Sequence, residues 1–214
     1  METIKYTLRE IILVVVGILI AIQANNWNEN RKFKIKQNQF LISLKEELKM
    51  DTLLINSKVK QFEEINSDVQ IGKNLIYKNK LNNQEKIGLD SSIGRLVILT
   101  PINKNVKRHD LKLSDGIISD YTFKMKLLSY YETIQFNNEV QTKFGEILQQ
   151  ISMNHISPIY RFGLDNDMKQ LRQNVAFMNS FEKSIAYRTQ AIKFLYIEKE
   201  LAKELLDELK YLIK

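Results

Sequence analysis

Ile11–Ala24 reads IILVVVGILIAIQA, an almost unbroken apolar run near the N-terminus of an otherwise polar, basic chain. Aliphatic side chains on every side of a helix leave no polar face for water, so such a segment sits in lipid or is wholly enclosed by protein. The run alone rises only about 21 Å as a helix, short of the roughly 30 Å of bilayer hydrocarbon. Its flanks supply the rest. Ile4, Tyr6 and Leu8 carry the helical pattern backwards and Trp27 carries it forwards. Lys5 and Arg9 can reach toward headgroups, and Tyr6 and Trp27 are aromatics of the kind that settle at a membrane interface. From Tyr6 to Trp27 a helix covers about 33 Å, enough to cross with little tilt.

Two rivals compete with a retained span. A cleaved secretory signal would use Lys5 and Arg9 as its charged start and Ile11–Ile22 as its apolar core. Cleavage after Ala24, however, puts the bulky Ile22 where a small residue is required. A buried helix of a soluble fold would need a protein partner on every face. The retained span is therefore preferred. It divides the chain into an anchor with its flanks, residues 1–28, and a water-exposed helical domain, residues 29–214.

Composition narrows the rest. The 214 residues suffice for one modest domain beside the anchor. Cysteine is absent, which excludes disulfides, zinc–thiolate sites and thiol nucleophiles. Seven Gly and two Pro mean few breakers, favouring long helices over a turn-rich β fold. A net charge of +7 raises nucleic acid or anionic lipid as partners. Arg31, Lys32, Lys34 and Lys36 follow the span directly, where basic residues face headgroups. Nucleic acid is accordingly not the expected partner.

After the anchor, Leu41, Leu44, Leu48, Ile55, Val59, Phe62, Ile65 and Val69 recur at helical spacing, predicting a stalk helix over about 29–77. An amphipathic helix of this kind is marginal alone in water and needs partners. Asn79–Lys86 is polar and reads as a connection. Ile87–Leu99 is a shorter apolar segment whose end, Arg95–Leu99, is open to a strand reading. His109–Ile118 reads as a short helix. A long helical stretch then runs from Asp120, an N-cap candidate with Ser119, to Met153. Its core candidates are Tyr121, Leu127, Leu128, Tyr131, Ile134, Val140, Phe144, Ile147, Leu148 and Ile151. Helical pattern returns over 165–214, with a break expected near Asn179–Ser180. The stripe there passes through Phe181, Ile185, Ile192, Leu195, Ala202, Leu205, Leu209 and Leu212, and its Lys/Glu-rich end has coiled-coil character. The fold expected is all-α: a transmembrane helix continuing into a long amphipathic helix, packed in an antiparallel bundle with middle helices over 87–153 and C-terminal helices over 165–214.

Catalytic patterns are sparse. His109 and His155 are isolated, with no second ligand at metal-binding spacing. No phosphate-cradling glycine loop or nucleophile elbow occurs. Asp165-Asn166-Asp167 resembles the start of a calcium loop but lacks the glycine and glutamate that follow, so helix capping is the better reading. No cofactor or metal is expected. Gly17 and Ala21, four residues apart in the span, form a small-residue face suited to close helix–helix contact. Tyr6, Arg9, Trp27, Arg31 and Lys32 are candidate interface residues. Tyr130 and Tyr131 are candidates for the wall of a ligand pocket.

The segment Glu10–Glu29 (EIILVVVGILIAIQANNWNE) resembles the N-terminal signature of a family of small, uncharacterised single-pass membrane proteins of Bacteroidetes-type bacteria. Phe40–Asp51 and the Leu113–Tyr131 segment resemble later elements of that family, in the same order. The resemblance implies a single-pass protein with an all-helical soluble domain and supplies no activity. It also implies a periplasmic domain, whereas the basic residues after the span, counted simply, place it in the cytoplasm. The expected setting is the bacterial inner membrane with the domain periplasmic, a cytoplasmic domain being the alternative. The expected role is a non-enzymatic scaffold, partnered by the bilayer and by a second copy or another envelope protein. A small-ligand sensor and an anionic-lipid or nucleic-acid binder are the alternatives.

Overall fold

The computed structural model describes the backbone of residues 2–101 and 116–213, and their side chains apart from those of 2–8 and 10. Helix α1 runs unbroken over Glu2–Ile76. It contains no proline, and Gly17 and Gly72 are its only glycines, so nothing in its interior interrupts the backbone ladder. Its first part is bare. The apolar window beginning at Ile11 is long enough to cross a membrane and none of it is covered by the rest of the chain. Ile20, for example, is 64% exposed. A helix enclosed by its own fold is thereby ruled out for this segment.

Further along, Leu41, Leu44, Leu48, Ile55, Val59, Phe62, Ile65 and Val69 are all buried, as the stripe predicts. Helix α2 (Asn83–Arg95) folds back along the far end of α1. It starts inside the segment expected to be a connection, because Asn82 and Glu85 form a reciprocal cap. The Asn82 side chain accepts from the Glu85 N–H and the Glu85 carboxylate accepts from the Asn82 N–H, both at 2.9 Å. No strand occurs among the described residues, and Arg95–Leu99 is a helix end followed by a turn. α2 lies close to α1: a Cβ on Gly72 would stand 2.3 Å from that of Ser92. Only glycine fits there.

Helix α3 (Tyr121–Ile151) is capped by Asp120, whose side chain accepts from the Phe123 N–H. It ends in a single wider turn, Ser152–Ile156. Short α4 (Met168–Gln173) is capped by Asp167, the capping role read for the Asp165–Asp167 segment. Helix α5 (Val175–Leu212) begins at Asn174 and shows no break at Asn179–Ser180. Asn174 both ends α4 and caps α5, so the interruption falls five residues early. The expected helix over His109–Ile118 lies outside the described residues as far as 115, and residues 116 and 117 form a turn.

α5 runs antiparallel to α1, with Lys73 paired to Glu182 and Asn66 bonded to Arg188. α3 runs antiparallel to α5, with Lys126 paired to Glu208 and Phe144 stacked on Tyr187. Two apolar cores result. The one nearer the span joins Leu41–Leu48 of α1 to Ile118–Ile134 and Ala202–Leu209. The farther one joins Ile55–Ile76 to α2, the end of α3 and Phe177–Leu195. On α3 the inward stripe is Phe123, Leu127, Tyr130, Ile134, Asn137, Gln141, Leu148 and Ile151, whereas the expected core residues Tyr121 and Ile147 face outward. Two polar residues at inward positions displace the apparent apolar phase.

One buried cation knits the far core. Arg188 has no solvent exposure, and its guanidinium donates to the carbonyls of Arg95, Leu96 and Ile98 at 3.2–3.3 Å, to Asn66 Oδ1 at 2.8 Å and to Ser184 Oγ. Those carbonyls terminate α2, where the helix dipole is negative and a cation is favoured. Burial lowers the Arg188 pKa to about 10, so it stays charged at neutral pH. Replacing Arg188 with Met should strand these acceptors and cost about 3 kcal/mol, or about 10 °C in midpoint. Arg188→Lys should fall between, since it keeps the charge and loses the planar fork. Thermal unfolding of the full chain in detergent, followed by circular dichroism, measures both; an Arg188→Met midpoint equal to wild type would refute this role.

Candidate functional site

Among the described residues, three places that gather polar chemistry stand out. The first is where α1 leaves the apolar stretch. Trp27 stands out at 67% exposure, and Arg31, Lys32, Lys34 and Lys36 are exposed, while Arg9, also exposed, lies at the opposite end of that stretch. Lys32 pairs with Glu29 at 3.0 Å on the same helix. Above Trp27 a groove of about 720 Å³ runs along α1 to Leu41. Its other wall is the entry to α3, Ile118–Asp120, and the end of α5, Tyr211 and Leu212. Gln37 fixes the wall by donating to the Ile117 carbonyl at 2.7 Å and to Ser119 Oγ at 3.2 Å. Arg31 and Lys34 line the groove, and Asp120 is its one acidic lining residue. The Asp120 carboxylate is occupied in capping α3, accepting from the Phe123 N–H at 3.0 Å.

Within the apolar stretch, Gly17 has open space where a Cβ would be, and Ala21 is exposed. Both are therefore available to a neighbouring helix. The side chain of Tyr6 lies outside the described residues.

The second place is a polar layer between the two apolar cores. Tyr130 is fully buried and donates its hydroxyl to Asp51 Oδ2 at 2.5 Å. Asn137 donates to Glu198 Oε1 at 2.6 Å and to the Phe194 carbonyl at 3.2 Å. Tyr131 reaches Glu47 at 3.3 Å, and its ring lies 5.5 Å from that of Tyr130. Gln141 is buried one turn beyond Asn137, and neither atom of its amide has a hydrogen-bond partner. Burial, then the negative charge of Asp51 and the bond to it, pushes the Tyr130 phenol well above its usual range. It is thus a fixed donor at any ordinary pH. The structure puts Tyr130 and Tyr131 in this layer, and neither lines the two grooves described.

The third place is the far tip, where a groove of about 630 Å³ opens between the α1–α2 turn and residues 160–168. Asp90 organises it, accepting from the Tyr160 hydroxyl at 2.8 Å and from the Gly163 N–H at 3.1 Å. Gly163 takes a φ of +71°, which the tight turn requires and a larger side chain resists. Burial and the Asp90 contact raise the Tyr160 phenol as well. Lys86 reaches across to Asp165. Among the described residues no three His, Asp or Glu side chains converge as metal ligands. His155 sits in the wide turn after α3, and His109 lies outside the described residues.

Sequence patterns pointed to the interface residues and to the Tyr pair. They missed Asp51, Asn137, Gln141, Arg188 and Glu198, because inward polar residues break the apolar spacing that marks a core. Regular spacing was the available signal: on α5 the buried positions 181, 184, 188, 191, 195, 198 and 202 alternate steps of three and four whether apolar or not.

Residues 10–89 match the model of a family of unknown function (DUF6090). That match covers α1 from residue 10 onward, including its apolar stretch, and the first half of α2; it does not reach α3 or α5. No curated protein and no solved structure matches the chain.

The polar layer makes a checkable statement about stability. Tyr130→Phe removes a donor from a buried carboxylate and should cost about 2 kcal/mol. Combined with Asp51→Asn, the loss should be smaller than the sum of the two single changes. Chemical unfolding of the four proteins completes the cycle; strict additivity would deny that the two side chains act as a pair.

Proposed function

We propose that this protein is a non-enzymatic, single-pass membrane scaffold that holds a helical bundle at the surface of a bacterial inner membrane, on the periplasmic side. The observation that carries the reading is the uncovered apolar window of α1, on the same unbroken helix that forms the spine of the bundle. Exposed aliphatic surface on all sides of a helix is costly in water and free of cost in lipid. The bacterial, inner-membrane and periplasmic parts of the reading draw on the resemblance of Glu10–Glu29 to the single-pass family. Open space at Gly17 and the neighbouring Ala21 supports self-association or pairing with another envelope protein through that face.

A second reading, a sensor of small ligands, draws on the tip groove, where Tyr160, Asp90 and Asn166 give hydrogen-bonding groups beside Leu81 and Met168. It competes with the scaffold reading for the bundle and shares the anchor.

The tether predicts that full-length protein sediments with membranes after carbonate washing and enters solution only with detergent. Recovery in a detergent-free supernatant would overturn it. For the association face, Gly17→Ile adds bulk where the single chain leaves room, so fold and membrane retention should persist. Chemical cross-linking in native membranes should show a dimer or hetero-complex that this substitution abolishes. Unchanged cross-linking would remove Gly17 from the contact.

A further inference from the structure

We infer that the groove at the membrane exit is a binding site for the headgroup of an acidic phospholipid, an inference that rests on the tether reading above. The groove begins at Trp27, three residues past Ala24 at the end of the apolar run, so its mouth lies at headgroup depth. Arg31 and Lys34 stand about 6 and 10 Å farther along the helix axis. Side chains on an α-helix lean toward its N-terminus, which for α1 is the membrane side. Both cations therefore extend back toward the lipid surface.

Charge and shape agree. Neither Arg31 nor Lys34 has an ion-pair partner among the described residues, unlike Lys32, which is paired to Glu29. The one acidic lining residue, Asp120, has its carboxylate turned to the first turn of α3. Trp27 and Tyr211 supply amphipathic rings, and Ile35, Leu41, Ile118 and Leu212 supply apolar surface. A phosphate diester with a short polar head fits this arrangement: anion against the two cations, glycerol against the rings, acyl chains descending beside the span. The groove lies on the same unbroken helix as the apolar window, which fixes the distance between the two.

The test separates a built site from general attraction between a basic stalk and an acidic surface. Full-length protein is reconstituted into bilayers of phosphatidylcholine and phosphatidylglycerol in equal amounts, extracted in mild detergent, and its retained lipids are weighed by native mass spectrometry. Retained phosphatidylglycerol should exceed its bulk share. Arg31→Gln with Lys34→Gln should cut it by about tenfold, whereas Lys32→Gln with Lys36→Gln, which removes the same charge outside the groove, should leave it nearly unchanged. All four side chains are exposed, so helicity by circular dichroism should be equal throughout. Equal losses in the two pairs, absence of enrichment, or release of the lipid by millimolar inorganic phosphate would each overturn the inference. Membrane-integrated protein without enrichment refutes the lipid site alone; protein that never enters the bilayer refutes the tether and this inference with it.

Discussion

In the tether proposed above, one continuous backbone in α1 has to satisfy two solvents, and the rest of the molecule follows from how it does so. In hydrocarbon every backbone N–H and C=O must bond within its own segment, which a helix achieves and a loop does not. The side chains there can be apolar all round, and they are. Beyond that stretch the buried apolar groups of α1 narrow to a single stripe from Leu41 to Ile76, while Ile42, Met50, Leu53, Leu54 and Ile71 stay exposed outside it. That stripe dictates the partners. α2 and α5 cover its far part, while α3 and α5 close over its near part. Between the two regimes, from Asn25 to about Gln39, α1 carries mostly exposed polar and basic residues.

The bundle is not uniformly oily, and its polar exceptions sit where helices must be told how to pair. Arg188 reaches from α5 to the end of α2 and to Asn66 on α1, so a register slip of any of these three would leave a buried charge without acceptors. Asp51 with Tyr130, and Asn137 with Glu198, tie α1 to α3 and α3 to α5 in the same sense. Such bonds contribute little net stability compared with apolar packing, but their absence in a wrong register is expensive. Apolar stripes alone would tolerate several alignments of long helices. The polar layer selects one.

How much of this could be read beforehand depended on whether the pattern was local. α1 was legible nearly throughout: the apolar run is unbroken, and the later stripe is interrupted inwardly by Asp51. α3 was legible as a helix but not in its exact facing: Asn137 and Gln141 occupy core positions, while Tyr121 and Ile147 are apolar residues turned outward. The start of α2 was hidden in an Asn-rich segment, where Asn82 acts in the role more familiar for Ser or Thr in a capping box. Asn174 interrupts the C-terminal helices with the same chemistry, one asparagine serving as the end of α4 and the cap of α5. The membrane-exit groove was half legible. Trp27 and Arg31 mark one wall as a candidate interface, but the opposite wall comes from residues 118–120 and 211–212, which only the fold brings there.

Length gives the arrangement a further consequence. From Ile22 to Ile76 the axis of α1 extends about 80 Å, and no proline or internal turn shortens it. The membrane-exit groove and the tip groove therefore lie at opposite ends of a stiff rod, separated by far more than the roughly 8 Å over which exposed charges act at physiological salt. A molecule docked at the tip is out in the aqueous compartment and cannot feel the stalk cations. A lipid at the exit groove, as proposed, would not reach the tip. Any communication between them has to pass through the bundle, and there the polar layer stands midway, coupling α1, α3 and α5. A long helix built this way keeps its two ends chemically independent while fixing the distance between them.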